Sequence, residues 1–123
     1  KPGGKLVFCV RHPAFFTRRT GVLRGANSNP SGLLIADYFN KDPWKESWSF
    51  SGSGDAARGR KTFSNLRFPF SLADCINGVI EAGLSLKRVE EPMPEEDVCK
   101  RHPRLDFWRR HGALYLFVAA GKP

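Results

Sequence analysis

No acidic residue occurs before Asp37, although Lys1, Lys5, Arg11, Arg18, Arg19 and Arg24 all precede it. The chain as a whole carries a net charge of +8, so its first third projects a positive field that can attract nucleic acid or an anionic small molecule. A solvated basic face is the plainer reading. Long apolar runs are lacking too. None approaches the roughly 20 residues that cross a bilayer as a helix, and no signal-like apolar region follows Lys1, so a soluble, cytoplasmic protein without a membrane partner is expected. Cysteine is scarce and odd in number: Cys9, Cys75 and Cys99 lie far apart, which argues against a secreted disulfide framework and for reduced thiols. There is no internal repeat and no heptad pattern. The first residue is Lys, and Pro2-Gly3-Gly4 turns straight into an apolar segment, as in a sequence entered part-way.

What is present suffices for a core. The 123 residues are 41% hydrophobic and include ten Phe, enough for one compact domain or a piece of one. The clearest unit is Ser71 to Pro92, a capped helix running into a strand. Ser71 suits the N-cap, with Asp74 three residues on where its carboxylate reaches back and meets the positive helix end. Leu72, Ile76, Val79, Ile80 and more weakly Cys75 recur at helical spacing. Gly83 ends the helix; Leu84 and Leu86 alternate with polar neighbours, Val89 breaks the alternation, and Pro92 stops the strand.

Around that unit the chain divides into a first strand (1–10), a long loop or lid with a hairpin (11–70), the helix and strand (71–92), and a loop with a final strand (93–123). Lys5 to Val10 suits a strand buried on both faces, the habit of parallel sheets. Ala14 to Lys41 reads as a long mobile connection with one short element near Leu33 to Phe39. Trp48 and Phe50 pair with a strand returning over Thr62 to Leu66 across a Gly-rich tip. Pro94 with Glu95, Glu96 and Asp97 begins a short helix that Pro103 closes. Ala113 to Ala120 is the most apolar run and belongs at the centre of a sheet.

Few residues carry a chemical signal. His12 ends the first strand, where ligands collect in open α/β sheets, and can be read as a proton acceptor or as a loop histidine capping the strand. Cys99, His102 and His111 are a weak metal pattern, lacking the four close ligands of a structural zinc site. Gly52-Ser53-Gly54 lacks the helix that a phosphate loop opens, and reads as a hairpin tip. Glu90 and Glu91 would face opposite sides of a strand, against a two-carboxylate mechanism. Aromatics near Arg18, Arg19, Arg58, Arg60, Lys61 and Arg67 allow single-strand nucleic-acid binding in principle, although most of those rings should build the core.

Three segments taken together resemble one family. K-P-G-G-K-L-V-F-C-V-R-H-P is similar to the turn and fifth strand of class I S-adenosylmethionine-dependent methyltransferases. L-R-F-P-F-S-L-A-D-C-I-N-G-V-I-E-A-G-L-S-L-K-R-V-E-E-P is similar to the late helix and sixth strand of one bacterial branch, and A-L-Y-L-F-V-A-A-G-K-P to the seventh strand. The resemblance spans nearly the whole chain in order. It implies an α/β, Rossmann-like fold, here its C-terminal portion, a mixed sheet of strand order 5-7-6 with an inserted hairpin or lid. It implies S-adenosylmethionine as cofactor of a parent enzyme but none for this chain alone, since the family binds it through a Gly-rich turn after the first strand and an acidic residue ending the second. Substrate-side walls would come from Arg11, His12, Tyr38, Trp48, Arg67 and Phe68. No residue matches a catalytic motif of the family, so His12 is the catalytic candidate by position; no metal is expected. Leu6 to Val10 would show an open edge, through which the free chain could form a homodimer. The competing expectation is a non-enzymatic basic module, either a methyltransferase-like scaffold or a nucleic-acid binder.

Overall fold

A computed structural model describes residues 1–50 and 61–123. Its elements in chain order are β1 (Lys5–Arg11), a 3-10 turn (Pro13–Phe15), β2 (Arg19–Arg24), β3 (Pro30–Ala36), β4 (Trp44–Phe50), β5 (Lys61–Arg67), α1 (Leu72–Glu81), β6 (Ser85–Glu90), α2 (Glu96–Arg101), α3 (Arg104–His111) and β7 (Tyr115–Gly121). The α/β frame is a three-stranded sheet of order β1-β7-β6, joined by two separate hairpins, β2-β3 and β4-β5.

The final strand is central, being apolar on both faces and free of charged residues. Leu116, Val118 and Ala120 point to one side and are 0%, 1% and 3% exposed. There they meet Val79 of α1, with Leu72, Cys75, Leu84, Phe8 and Val10 packed around them. Burying side chains such as Leu116 and Val118 contributes about 1.5–3 kcal/mol each. Helix α1 is held at both ends. The Asp74 amide donates to Ser71 Oγ (3.1 Å), and the Ser71 amide donates to Asp74 Oδ2 (2.7 Å), closing a capping box. Lys41 also bonds the Asp74 carboxylate, and this contact, ahead of the Ser71 bonds, holds its pKa far below the usual range. At the other end Gly83 adopts φ +71°, the left-handed turn that glycine accepts without cost. Burial pushes the Cys75 thiol pKa up.

The break in alternation at Val89 has a structural cause. A register shift lies between Leu86 and Arg88, so Leu86 pairs with Ala120 and Val89 with Val118. One extra residue returns both apolar side chains to the helix side.

Four expectations need correction. First, 14–41 is not a loop with one short element, for β2 and β3 pair along their length. The Gly-Asn-Ser segment between them is a hairpin tip, with Gly25 N–H donating to Asn29 O (2.9 Å), Ser28 N–H to Gly25 O (2.9 Å), and Ser28 at φ 58°. Second, the segment before the final strand is more than a loop with one short helix: α2 ends before Pro103, as expected, but another helix begins directly after Pro103. Pro103 occupies the N-cap of α3, whose first turn tolerates the absent proline N–H. Third, β1 is not buried on both faces: among the described residues it pairs with β7 only, and antiparallel. Its doubly apolar pattern remains, but only the side bearing Phe8 and Val10 is covered, while Val7 is 70% exposed. Fourth, the mixed sheet is not seen in these residues, where every pairing is antiparallel; β1 and β6, on either side of β7, run parallel to each other without touching.

The β4-β5 hairpin is present, with Trp48 opposite Phe63. Gly52-Ser53-Gly54, Arg58 and Arg60 lie outside the described residues. No helix among the described residues is long and apolar enough to cross a membrane.

Candidate functional site

The carboxyl end of β1 is where the two hairpins meet the sheet. His12 continues the β1-β7 ladder, its amide donating to Leu114 O (2.9 Å). Its ring is buried and both nitrogens are engaged. Nδ1 accepts from the Ala14 amide (3.2 Å), capping the 3-10 turn. The proton therefore resides on Nε2, which donates to Glu91 Oε1 at 2.6 Å. Thus the ring caps the 3-10 turn that follows rather than the strand, and neither ring nitrogen offers an unoccupied lone pair to a substrate. Glu91, just past the end of β6, was weighed in the sequence only as half of the Glu90-Glu91 pair, since its partner lies 79 residues away.

Beyond His12, Phe15 lies edge-on against Trp108 of α3 (5.6 Å between centroids). Gly112 passes so close that a Cβ there would stand 2.8 Å from Phe15 Cζ. Phe16 turns the other way into a second aromatic group, 5.5 Å from both Trp44 and Phe70.

Arg67, at the end of β5, ties these rings together. Its guanidinium carbon lies 5.3 Å from the Phe16 centroid and 5.0 Å from that of Trp48, and its Nε donates to Glu46 Oε2 at 2.6 Å. Stacking on two rings with one charge-assisted bond fixes the side chain in a way lysine could not copy. A Trp48 hydrogen bond is the largest cause holding the Glu46 pKa below the ordinary carboxylate value; partial burial opposes it, and Arg67 and the more distant charge of Arg11 add to the lowering. Glu46 is therefore ionised at neutral pH and neutralises Arg67.

Between β1, the 3-10 turn, β2 and β4 opens a cleft of about 280 Å³, lined by Arg11, Thr17, Arg18, Thr20, Trp44 and Glu46 together with Phe15 and Phe16. Arg18 forms no ion pair among the described residues. Thr17 is 7% exposed, and its Oγ1 is buried without a hydrogen-bond partner among the described residues. Leaving such a group unpaired costs about 1–3 kcal/mol.

Of the candidate residues, Arg11 lines the cleft, Trp48 and Arg67 reach it through Glu46, and His12 stands next to Arg11 outside the lining. Tyr38 is elsewhere: its hydroxyl accepts from the Leu72 amide (2.9 Å), one of the orphan donors of the α1 first turn. Phe68 is 64% exposed and no part of the cleft lining. Glu46, Phe16, Thr17 and Trp44 were not proposed from sequence. A basic pair at 18–19 and an aromatic pair at 15–16 were the only local signals. As for the weak metal pattern, Cys99 is buried, His111 stacks on Phe107 (4.7 Å), and no group of three or more potential ligands occurs among the described residues.

Two solved structures match this arrangement over its whole extent. An S-adenosylmethionine dependent methyltransferase from Mesorhizobium loti superposes with a TM-score of 0.70 at 22% identity, covering 98% of this chain and 49% of its own. A protein from Listeria monocytogenes assigned to the same class gives 0.71 at 20% identity, covering 100% of this chain and 50% of its own. The chain shares its fold with about half of each of these two proteins. The chain spans about half the length of the structures it matches, and the methyltransferase likeness lies in fold, since no family model and no curated protein matches its sequence. The residues of the cleft do not fit the cofactor. S-adenosylmethionine carries a sulfonium cation, whereas the cleft presents Arg11 and Arg18 and the Glu46 charge is already matched by Arg67.

Proposed function

We propose that this chain is the C-terminal, acceptor-side portion of an S-adenosylmethionine-dependent methyltransferase, with β1, β7 and β6 standing as the family's fifth, seventh and sixth strands. The observation that carries this reading is the superposition of the entire chain on half of two proteins of that class. An antiparallel final strand set between two strands that run parallel to each other supports it. The reaction class is transfer of a methyl group from a sulfonium to a nucleophile on an acceptor, in which holding the acceptor in line supplies much of the rate. This chain's share is that holding: the hairpins over the end of β1 form the lid, and the cleft around Arg11 and Arg67 forms the wall. The cofactor half belongs to the rest of the enzyme, in a reduced cytoplasmic setting, and the isolated chain is inactive.

Calorimetry tests the division directly. The chain alone gives no heat with S-adenosylmethionine or S-adenosylhomocysteine; saturable micromolar binding overturns the assignment of the cofactor to the other half. The coding sequence upstream of Lys1 gives a second test, and a region without a strand followed by a Gly-rich G-x-G-x-G turn counts against the reading.

Open pairing along β1 supports one partner proposal. With β7 on one side only and Val7 exposed, two copies of the free chain can associate through the Leu6 to Val10 edge. Light scattering that shows a monomer across a hundredfold concentration range refutes it. Oligonucleotide binding is the alternative function, that of a basic module. It is placed second because Phe16, Trp44 and Phe70 pack on one another and cannot stack freely on bases.

A further inference from the structure

We infer that the cleft at the end of β1 binds an oxyanion, a carboxylate or phosphate group carried by the methyl acceptor. Arg11 and Arg18 supply the positive charge, and Thr17 Oγ1 supplies a hydrogen bond. The inference rests on the acceptor-side reading above for what the anion belongs to, but not for the anion site itself.

Charge balance points to an anion. Three guanidiniums lie in or against the cleft, those of Arg11, Arg18 and Arg67, and one carboxylate, Glu46, answers them. That carboxylate is committed to Arg67 at 2.6 Å, so the ion pair is closed and two cations remain. Arg11 and Arg18 form no ion pair among the described residues. Both guanidiniums carry forked N–H donors suited to two-oxygen groups.

Thr17 is the independent observation. It is more than nine-tenths buried, lines the same cleft, and its hydroxyl has no partner among the described residues. Buried hydroxyls are ordinarily satisfied, and a ligand oxygen at this wall would satisfy this one. Arg67, held between Phe16 and Trp48, serves as a positioning residue: it fixes the β4-β5 hairpin against the 3-10 turn and so keeps Trp44 and Glu46 at the cleft. A volume of about 280 Å³ admits a small acid or the anionic end of a larger molecule, and the polar walls exclude a wholly apolar one.

Titration of the 123-residue chain with benzoate and, separately, inorganic phosphate, followed by Trp fluorescence and by backbone amide NMR shifts at constant ionic strength, tests the site. Saturable binding with shifts centred on Arg11, Thr17 and Arg18 is expected. Arg11→Gln and Arg18→Gln should each weaken it about tenfold, as loss of one charge-assisted bond implies. Thr17→Val keeps the shape and should weaken it severalfold. Arg104→Gln, which removes the same charge from exposed α3, should leave it unchanged. Preference for benzoate assigns a carboxylate group, and preference for phosphate a phosphoryl group; either supports the site. Binding that Arg104→Gln weakens as much as Arg11→Gln is diffuse charge attraction and overturns it, as does the absence of saturation with both anions. If the anion binds as expected but an assembled enzyme methylates only uncharged acceptors, the site stands and the acceptor-side reading falls.

Discussion

Replacing Arg67 with Ala should destabilise the fold by about 2–4 kcal/mol. The figure comes from three contacts. The Nε to Glu46 bond, charge-assisted and 2.6 Å long, accounts for about 1.5–3 kcal/mol when fully protected. It is discounted here because the Glu46 side chain is 35% exposed while that of Arg67 is 19% exposed. Stacking on Phe16 and Trp48 adds about 0.5–1 kcal/mol for each ring. Arg67→Lys keeps the charge but loses the planar fork and should forfeit roughly half of the total. Urea unfolding followed by fluorescence measures each, with a constant slope confirming that stability alone has changed. Crossing Arg67→Ala with Glu46→Gln should give a coupling of about 1 kcal/mol.

Glu46 also carries a pH dependence, set first by its Trp48 hydrogen bond and in part by Arg67. The Glu46 pKa is lowered in the folded state from an ordinary value of 4.5. Its contribution is thus fully present above that value and lost as pH falls through the folded one. The Arg67→Ala protein should lose part of this acid sensitivity. A neutral Arg67→Ala substitution, or zero coupling with Glu46, would refute the view that this residue pins the hairpin to the turn.

Other substitutions probe the scaffold around the cleft. Gly112→Ala would set a Cβ 2.8 Å from the Phe15 ring and should cost about 1–3 kcal/mol in thermal unfolding, with Phe15→Leu in the same background restoring part of it. Ser71→Ala removes the hydroxyl that caps α1 and should cost about 1 kcal/mol. Tyr38→Phe leaves the Leu72 amide without its acceptor and should cost about 1–2 kcal/mol without altering anion binding at the cleft, which separates a helix-capping tyrosine from a pocket-lining one. Leu116→Ala, at 0% exposure, should cost about 2–5 kcal/mol.

Local patterns carried the frame. The capping box at Ser71 and Asp74, the left-handed Gly83 and the apolar final strand each depend on residues close in sequence or on simple periodicity, and each appears in the fold. The β2-β3 hairpin was hidden because Gly, Asn and Ser serve equally well in an open loop and in a hairpin tip, and Arg19-Thr20-Gly21 carries little strand propensity. Helix α3 was hidden behind Pro103, which can stop one helix or start the next. The cleft was least legible. Arg11 could be proposed because it stands at a strand end and Arg67 through the family resemblance of its segment, but Glu46 is separated from Arg67 by 21 residues and Glu91 from His12 by 79. Such pairings are properties of register, which only the assembled sheet and hairpins set.

On the acceptor-side reading proposed above, the cleft can be formed in this chain only if it draws on contacts within the chain itself. Among the described residues, the uncovered parts are the open edge of β1 and the sheet face opposite α1, where Val7, Cys9, Tyr115 and Phe117 are exposed. The cleft lies at the strand's end and is closed by neighbours near in sequence: the 3-10 turn, β2 and the β4-β5 hairpin. Its braces, Arg67 to Glu46 and His12 to Glu91, are internal to the chain. A cofactor-binding half, if it docks as that reading requires, would therefore cover the β1 edge and the open face without rebuilding the cleft. Anion affinity measured on the chain alone should then equal that of the assembled enzyme to within a factor of a few, and a gain of a hundredfold on assembly would show instead that the cleft is shaped by the other half.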